Sequence, residues 1–277
     1  MTIFDWLQLP LILACGIGLM FAVAKFGKQS KAARNQTRET LINAIGSVLL
    51  ALPIFYLGFP LKLVSLETLG LDRFVWWWLP ASLGMAIVLI LLNAGLALGY
   101  QALFRIDEAK LVSYQRSSYF TAMSRSRKKS LVTVLFGGIL APLCEELYFR
   151  GLLLAWFLTF FNPWIGIAAT AIVFGLAHYD SAGVVVTGII DGIALAILFV
   201  WFGSLWIPIM VHIFNNTIGL VAFIVESSKV KPQSPTNLND LPENVSNDNV
   251  SAIMDGTERQ DIDEEKVQIR SEQDAAG

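Results

Sequence analysis

The hydrophobic positions of this chain come in long continuous blocks, unlike the alternating or helical periodicity of soluble elements. Three blocks occupy about residues 7–26, 41–63 and 74–100, and almost every residue from 131 to 225 is apolar. A helix needs about 20 consecutive apolar residues to cross a hydrocarbon core of ~30 Å. The pattern therefore predicts an all-α fold, a polytopic transmembrane helical bundle.

Four more spans are predicted within the last apolar region, where the breaks are subtle. Their approximate bounds are 131–150, 163–179, 183–202 and 205–225. The piece 151–161 either extends the first of these spans or turns back as a short separate helix. The bundle is therefore predicted to contain seven or eight segments.

Composition agrees with a membrane protein and separates off the carboxyl terminus. Hydrophobic residues make up 55% of the 277 residues and charged residues 15%, whereas soluble domains carry roughly 45–50% and 25%. Residues 226–277 hold twelve acidic and five basic side chains and are rich in Asn, Ser and Gln. Because such a segment cannot bury enough apolar surface to offset its chain entropy, it is predicted to be a disordered acidic tail.

Basic residues indicate the orientation in the membrane. Lys and Arg cluster in the connector 25–38 and in the polar stretch 105–130, and two lie in the short loop between the second and third spans. The positive-inside rule puts both clusters in the cytoplasm and the amino terminus outside. Membrane lipids are the expected partners of these loops; nucleic acid is not expected. Short loops without eukaryotic targeting signals suit a multi-pass protein of a prokaryotic cell membrane.

Ionisable side chains stand out in the last apolar region. A charge near the bilayer centre costs roughly 2.5–3.5 kcal/mol on insertion scales, so each one is a candidate for function. Both histidines of the chain, His178 and His212, lie in this region, together with five charged residues: Glu145, Glu146, Arg150, Asp180 and Asp191.

Helical spacing assigns several of these residues to faces. Arg150 follows Glu146 by four residues, so the two are predicted to pair. Glu145 is offset by about 100° and is free to point into a cavity. Two further pairs share a face for the same reason: Phe174 with His178, and His212 with Asn216.

Asp180 and Asp191 stand outside these pairs. Asp180 is expected to close a span at the membrane interface. Asp191, in the middle of a span, is expected either to orient a histidine as an acceptor or to serve as a buried partner of Arg150 or of a backbone donor.

The chain resembles a known family of intramembrane proteases over about residues 130–225, which we interpret as a protease core. The family is that of the CAAX proteases and bacteriocin-processing enzymes (CPBP). Its three motifs match, in order, Glu145-Glu146-x-x-x-Arg150, Phe174-x-x-x-His178 and His212-x-x-x-Asn216. Residues 1–129 carry no matching motif and are predicted to form the amino-terminal transmembrane helices and the basic cytoplasmic loop.

The resemblance implies an endopeptidase, similar to CAAX prenyl proteases, that hydrolyses a peptide bond of a membrane-associated protein or peptide. Glu145 and His178 would activate the attacking water, and His212 and Asn216 would stabilise the oxyanion. The implied catalytic set is Glu145, Glu146, Arg150, His178, His212 and Asn216.

Metal dependence is open at this point. Glu145, His178 and His212 are acceptable zinc ligands, and zinc lowers the pKa of a bound water to about 7. The chain has no H-E-x-x-H sequence, so a metal-free mechanism through Glu and His is also open. The expectation leans slightly towards a zinc metalloendopeptidase.

Two other functions are open as well. The family includes proteins known for bacteriocin immunity, so a non-catalytic immunity or scaffold protein is the alternative, although every motif position is present. A proton-coupled transporter would also use intramembrane acids and histidines. It is less favoured, because the sequence shows no internal repeat of the transporter kind.

Helix geometry raises one difficulty. With a rise of 1.5 Å per residue, straight spans do not bring Glu145, His178 and His212 to one depth in either the seven-segment or the eight-segment arrangement. Tilted or interrupted helices are therefore expected.

Overall fold

A computed structural model describes residues 3–19, 22, 36–104, 127–178 and 182–229 of the chain, and in these ranges it contains helices and no strand. Several predictions fall outside the described residues and stay predictions: the acidic tail beyond residue 229, Asp180, and most of the two basic stretches.

Seven helices follow one another in the described part of the chain, one for each of the seven predicted spans. They are α1 (Ile3–Leu13, continued by the π-helical turn Ala14–Gly18), α2 (Gln36–Ala51, followed by the π-helical turn Ile54–Gly58), α3 (Trp78–Phe104), α4 (residues 127–160), α5 (Pro163–Ala177), α6 (Ala182–Phe202) and α7 (Trp206–Lys229).

Helix α4 is continuous but changes its hydrogen-bonding pattern along its length. Three α-helical parts, Arg127–Thr133, Ala141–Tyr148 and Ala155–Phe160, alternate with the π-helical parts Val134–Leu140 and Phe149–Leu154. The piece 151–160 extends this helix, so it does not form an eighth one. Of the two alternatives for residues 151–161, the extension of the span is therefore the one observed, and the helix is irregular at its two π-helical parts without being broken.

Four of the helices are long and apolar enough to cross a membrane: Trp78–Gly99, Ser130–Phe160, Gly183–Phe202 and Trp206–Glu226. The apolar parts of α1, α2 and α5 are shorter. Helix α5 has 15 residues, or about 22 Å, which is less than the ~30 Å core. Glu145 lies 15 residues before Phe160, the end of α4, and His178 directly follows α5, so both lie about 22 Å from the turn between the two helices. The continuation of α4 to Phe160 therefore removes the conflict in depth between Glu145 and His178.

The centre of α4 is the centre of the core. All six residues of its second π-helical part, Phe149–Leu154, are buried, as expected for a helix with apolar residues on every side. Two hydrogen bonds attach α1 to this region. The Tyr148 hydroxyl donates to the Ile12 carbonyl at 3.0 Å, and Trp156 Nε1 donates to Gln8 Oε1 at 3.1 Å.

Small residues let α5 and α6 approach closely. A Cβ atom added at Gly192 would lie 2.9 Å from the Cα atom of Ala171, and one added at Gly188 would lie 3.0 Å from the Cα atom of Gly175. Close backbone approach through small residues is typical of helix pairs in membranes. It places the backbone of α6 beside α5, the helix that carries Phe174 and ends at His178.

The turn between α6 and α7 is fixed by the connection between α2 and α3. Gly203 has a φ of +59°, a conformation that glycine adopts without steric cost. The Ser204 hydroxyl then donates to the Gly70 carbonyl at 2.9 Å, and the Leu205 amide donates to the Leu69 carbonyl at 2.8 Å. These contacts set where α7 begins and therefore where His212 lies.

Candidate active site

The three motifs meet at the side chain of Glu145. Its Oε2 atom lies 4.0 Å from Nε2 of His178 and 3.8 Å from Nε2 of His212. Glu145 belongs to α4, His178 caps the carboxyl end of α5, and His212 lies in the second turn of α7. Residues that are up to 67 positions apart in sequence thus share one small volume.

Access to this volume is from the His178 side. The His178 side chain is 38% exposed, that of Glu145 is 16% exposed and that of His212 is 7% exposed. The Oε2 atom of Glu145 is itself buried and has no hydrogen-bond partner. Buried polar atoms are nearly always hydrogen-bonded, so a water molecule or a substrate group is expected to bind to this oxygen.

Glu146 is the buried anchor of the site. Its Oε1 atom accepts a hydrogen bond from Arg150 Nη1 at 2.7 Å, which confirms the predicted pair. The same oxygen lies 2.8 Å from Nδ1 of His212. An ionised carboxylate only accepts, so Nδ1 is assigned as the donor and Nε2 is left facing Glu145. The link between Glu146 and His212 was not foreseen from the sequence.

Phe174 has a defined role beside His178. Its carbonyl oxygen lies 2.9 Å from Nδ1 of His178, and a carbonyl only accepts, so Nε2 is again the free nitrogen. The Phe174 ring lies 4.8 Å from the His178 ring and 5.8 Å from the His212 ring. One aromatic residue therefore supports both imidazoles, which accounts for the phenylalanine in its motif.

Arg150 is held from three sides although it is almost fully buried. Besides Glu146, it donates through Nη2 to the Gly192 carbonyl at 3.1 Å, and its Cζ atom lies 4.6 Å from the centre of the Phe174 ring. Cation–π contacts of this kind strengthen when they are removed from water. The carbonyl of Gly192 gave no signal in the sequence.

Asn216 lies near this cluster but is directed at the backbone of α4. Its Nδ2 atom donates to the Gly137 carbonyl at 3.4 Å, and it accepts from Asn215 at 3.5 Å. The neighbouring Thr217 hydroxyl donates to the Gly138 carbonyl at 3.1 Å. Both acceptors lie in the first π-helical part of α4. The structure thus places Asn216 beside the helix of Glu145, without a hydrogen bond to the Glu145 carboxylate.

Asp191 has a partner that sequence reasoning missed. Its Oδ1 atom accepts a hydrogen bond from Asn93 Nδ2 of α3 at 2.8 Å. Of the partners expected for Asp191, Arg150 forms no hydrogen bond with it, because the hydrogen bonds of Arg150 go to Glu146 and Gly192. The Nδ1 atoms of both histidines likewise face other acceptors. The available signal was the amide of Asn93, which stands alone in an apolar span.

The donor atoms of Glu145, His178 and His212 are of the types that bind zinc. Glu145, His178 and His212 present Oε2 and two Nε2 atoms, with both Nδ1 atoms engaged by protein acceptors, as is usual for metal-bound histidine. Within the described residues, however, no three His, Cys, Asp or Glu side chains are placed to hold a metal ion. Zinc binding by these three residues stays a prediction.

Comparison with known proteins agrees with the three motifs. Residues 127–218, about a third of the chain, match the family model described as type II CAAX prenyl endopeptidase Rce1-like. A curated Escherichia coli protein, described as an uncharacterized 24.3 kDa protein, is 25% identical over 222 residues, which is 78% of this chain and 96% of that protein. No solved structure matches the chain. All six predicted catalytic residues lie inside the matched segment, and the resemblance is therefore confirmed: residues 127–218 carry the sequence features of the Rce1-like CAAX prenyl endopeptidase family.

Proposed function

We propose that this chain is an intramembrane endopeptidase that hydrolyses a peptide bond in a membrane-associated protein or peptide. The observation that carries the proposal is the unpaired, buried Oε2 atom of Glu145, which faces two imidazole nitrogens at 3.8 and 4.0 Å. These separations are too long for direct hydrogen bonds. A water molecule between Oε2 and either nitrogen is within hydrogen-bond reach of both atoms and is positioned for activation.

Glu145 acts as the general base in this proposal. It takes a proton from the water as the water oxygen forms a bond to the carbonyl carbon of the substrate. The π electrons of the carbonyl move to its oxygen, which becomes the oxyanion of a tetrahedral intermediate. When the C–N bond breaks, the proton passes from Glu145 to the leaving nitrogen, so the products are a carboxylic acid and an amine.

The two histidines divide the remaining work. His178 is oriented by the Phe174 carbonyl, so its Nε2 atom accepts a hydrogen bond from the water. His212 is oriented by Glu146 and presents Nε2 to the same volume. We assign it to the oxyanion, as a donor from the doubly protonated ring, with Asn216 as a second donor. Glu146 and Arg150 act as positioning residues beneath them.

The substrate and setting follow from the family and the composition. A prenylated CAAX peptide is the first substrate to test, since the matched family is that of CAAX prenyl endopeptidases. Membrane lipids and a protein or peptide substrate are the proposed partners, and nucleic acid is not one of them. The proposed location is a prokaryotic cell membrane.

Cleavage by the purified protein tests the proposal. The full chain, in detergent supplemented with lipid, is mixed with a farnesylated CAAX peptide and with a quenched fluorescent peptide library. We expect Glu145→Gln to lower kcat/KM by at least about 100-fold, the usual contribution of a general base. Glu67→Gln makes the same chemical change at an exposed position in the connection between α2 and α3, and we expect it to cleave as the wild type does.

A chelator decides between the two forms of the mechanism. Loss of cleavage that added zinc restores would establish the zinc site predicted for Glu145, His178 and His212. Full activity after exhaustive chelation would establish the metal-free mechanism. No cleavage by well-folded wild type would contradict the proposal and favour the immunity or scaffold alternative. Proton uptake by lipid vesicles that contain the protein would test the transporter alternative.

A further inference from the structure

A half-buried polar pair, whose residues belong to none of the three motifs, joins α3 to α6. Asn93 of α3 donates from Nδ2 to Asp191 Oδ1 of α6 at 2.8 Å. Asn93 is half-buried and lies one turn after the buried residues Ser82, Ala86 and Leu89, on the same face of α3. These residues recur at intervals of four, three and four, the spacing of one helix face. The pair is therefore built into the contact between α3 and α6.

A polar pair within membrane spans needs a reason, because its groups are costly to insert. Here the reason lies in the next residue of α6. The Gly192 carbonyl, directly after Asp191, accepts the hydrogen bond from Arg150 Nη2 at 3.1 Å. Gly192 also packs closely against α5, since a Cβ atom added there would lie 2.9 Å from the Cα atom of Ala171. Asn93 therefore anchors α6 at the point where its backbone holds the arginine of the site.

From Arg150 the contacts continue to the reactive carboxylate. Arg150 donates to Glu146 at 2.7 Å, Glu146 contacts His212 at 2.8 Å, and His212 faces Glu145 at 3.8 Å. The charged and titratable groups that interact electrostatically with Asp191 are His212, Arg150 and His178. A continuous series of polar contacts thus runs from α3, through α6, to the candidate catalytic centre.

We propose that Asn93 and Asp191 are a positioning pair, through which α3 keeps Arg150 and His212 in their working geometry. This inference rests on the proposed function, since it adds residues to the same site. Asn93 lies outside residues 127–218, the segment that matches the family. The amino-terminal helices thus contribute to the site, and the matched segment alone does not complete it.

The proposal predicts a specific kinetic change. Without the hydrogen bond, α6 is free to shift along α3, and the Gly192 carbonyl moves relative to Arg150. Misplacement of reacting groups by about 1 Å costs up to about 100-fold in rate. We expect Asn93→Leu to lower kcat by about tenfold or more, with KM changed less than about threefold, because neither residue touches the substrate.

An exchange of the two side chains is the sharpest test. In the double variant Asn93→Asp with Asp191→Asn, donor and acceptor trade places and the hydrogen bond is retained. We expect kcat to return to within about threefold of the wild type. Ser82→Ala removes a polar group from the same face of α3, whose hydroxyl has no hydrogen-bond partner, and we expect it to leave kcat unchanged. Asn93→Ala replaces the leucine variant if the larger side chain prevents folding.

The two histidines provide a measurement that does not depend on activity. Because the chain contains His178 and His212 and no other histidine, selective isotope labelling gives an NMR spectrum of two imidazoles. We expect Asn93→Leu to shift the His212 signal, the exchanged pair to restore it, and Ser82→Ala to leave both signals in place. If the wild type cleaves nothing, the proposed function fails and these signals still decide on the pair. The positioning role is overturned if Asn93→Leu leaves the His212 signal and kcat unaltered, or if the exchange rescues neither.

Discussion

Removal of the Arg150 charge should be among the most destabilising single changes in this protein. The Arg150 side chain is 1% exposed, and its partner Glu146 is 0% exposed. Arg150→Met keeps much of the aliphatic length and removes the charge together with its hydrogen bonds to Glu146 and Gly192. The carboxylate of Glu146 then stays buried with one partner, the Nδ1 of His212, at 2.8 Å.

The size of the effect follows from this burial. Breaking a buried ion pair from one side costs about 3–5 kcal/mol, because the remaining charge is left uncompensated. For soluble domains of 150–250 residues, each kcal/mol changes the Tm by about 2–4 °C. On that scale, Arg150→Met should lower the Tm by about 6–20 °C. Glu146→Gln should have a similar effect from the other side, since it leaves Arg150 without a counterion.

The double variant separates charge from packing. In Glu146→Gln with Arg150→Met no uncompensated charge remains, so the loss in unfolding free energy should be clearly smaller than the sum of the two single losses. The change is measured by thermal unfolding in detergent, followed through the fluorescence of the eight tryptophans. Arg73→Met is the matched control. It acts on an exposed pair, in which Arg73 Nε lies 4.0 Å from Asp72, and such pairs contribute about 0–1 kcal/mol.

Losses in unfolding free energy that simply add would contradict the coupling of Glu146 with Arg150. If the double variant loses as much as the two single variants together, the pair does not act as a coupled unit. Unchanged stability of Arg150→Met would be equally decisive, because it would show that the Glu146 carboxylate is not buried with Arg150 as its counterion.

Two further predictions, one on helix packing and one on a hydrogen bond, can be measured by the same unfolding assay. Gly192→Ala puts a Cβ atom 2.9 Å from the Cα atom of Ala171, so we expect a loss of about 1–3 kcal/mol from overpacking. At Gly95 nothing lies within 4 Å of an added Cβ atom, so Gly95→Ala should instead raise the free energy of unfolding by about 0.5–1 kcal/mol. Equal effects at the two glycines would contradict the close approach of α5 and α6. Tyr148→Phe removes the hydrogen bond to the Ile12 carbonyl and should cost about 0.6 kcal/mol, an average for polar contacts in membranes; a loss above about 2 kcal/mol would mean that this hydroxyl does more than attach α1.

Local pattern was enough to locate the helices but not their ends. The sequence left open whether the span that contains Arg150 ends there or continues through residues 151–161. The helix in fact runs on to Phe160, since Glu146, Gly192 and Phe174 compensate the charge inside the protein. Two of these three partners come from other helices, so no property of the span itself predicts that Arg150 is tolerated there.

The partners of Asp191 and Asn216 show the same limit. Spacing put Asn216 on the face of His212, and this stays consistent with α7. Its hydrogen bond to the Gly137 carbonyl depends on the π-helical part of α4, which sequence periodicity does not reveal. Asp191 finds Asn93 from a distance of 98 positions, a pairing that spacing along one helix cannot predict.

The sequence by itself determined the membrane class, the places of the helices, the pairing of Glu146 with Arg150 and the family resemblance, but it left open whether there are seven or eight segments. All of these depend on composition, on contacts four residues apart or on short motifs, which are local. The tertiary structure alone decided that Glu145, His178 and His212 share one volume, that Glu146 also holds His212, and that α3 reaches the site through Asn93. These depend on how helices shorter or longer than the membrane thickness pack and cross, and such packing is set by close contacts between residues far apart in the chain.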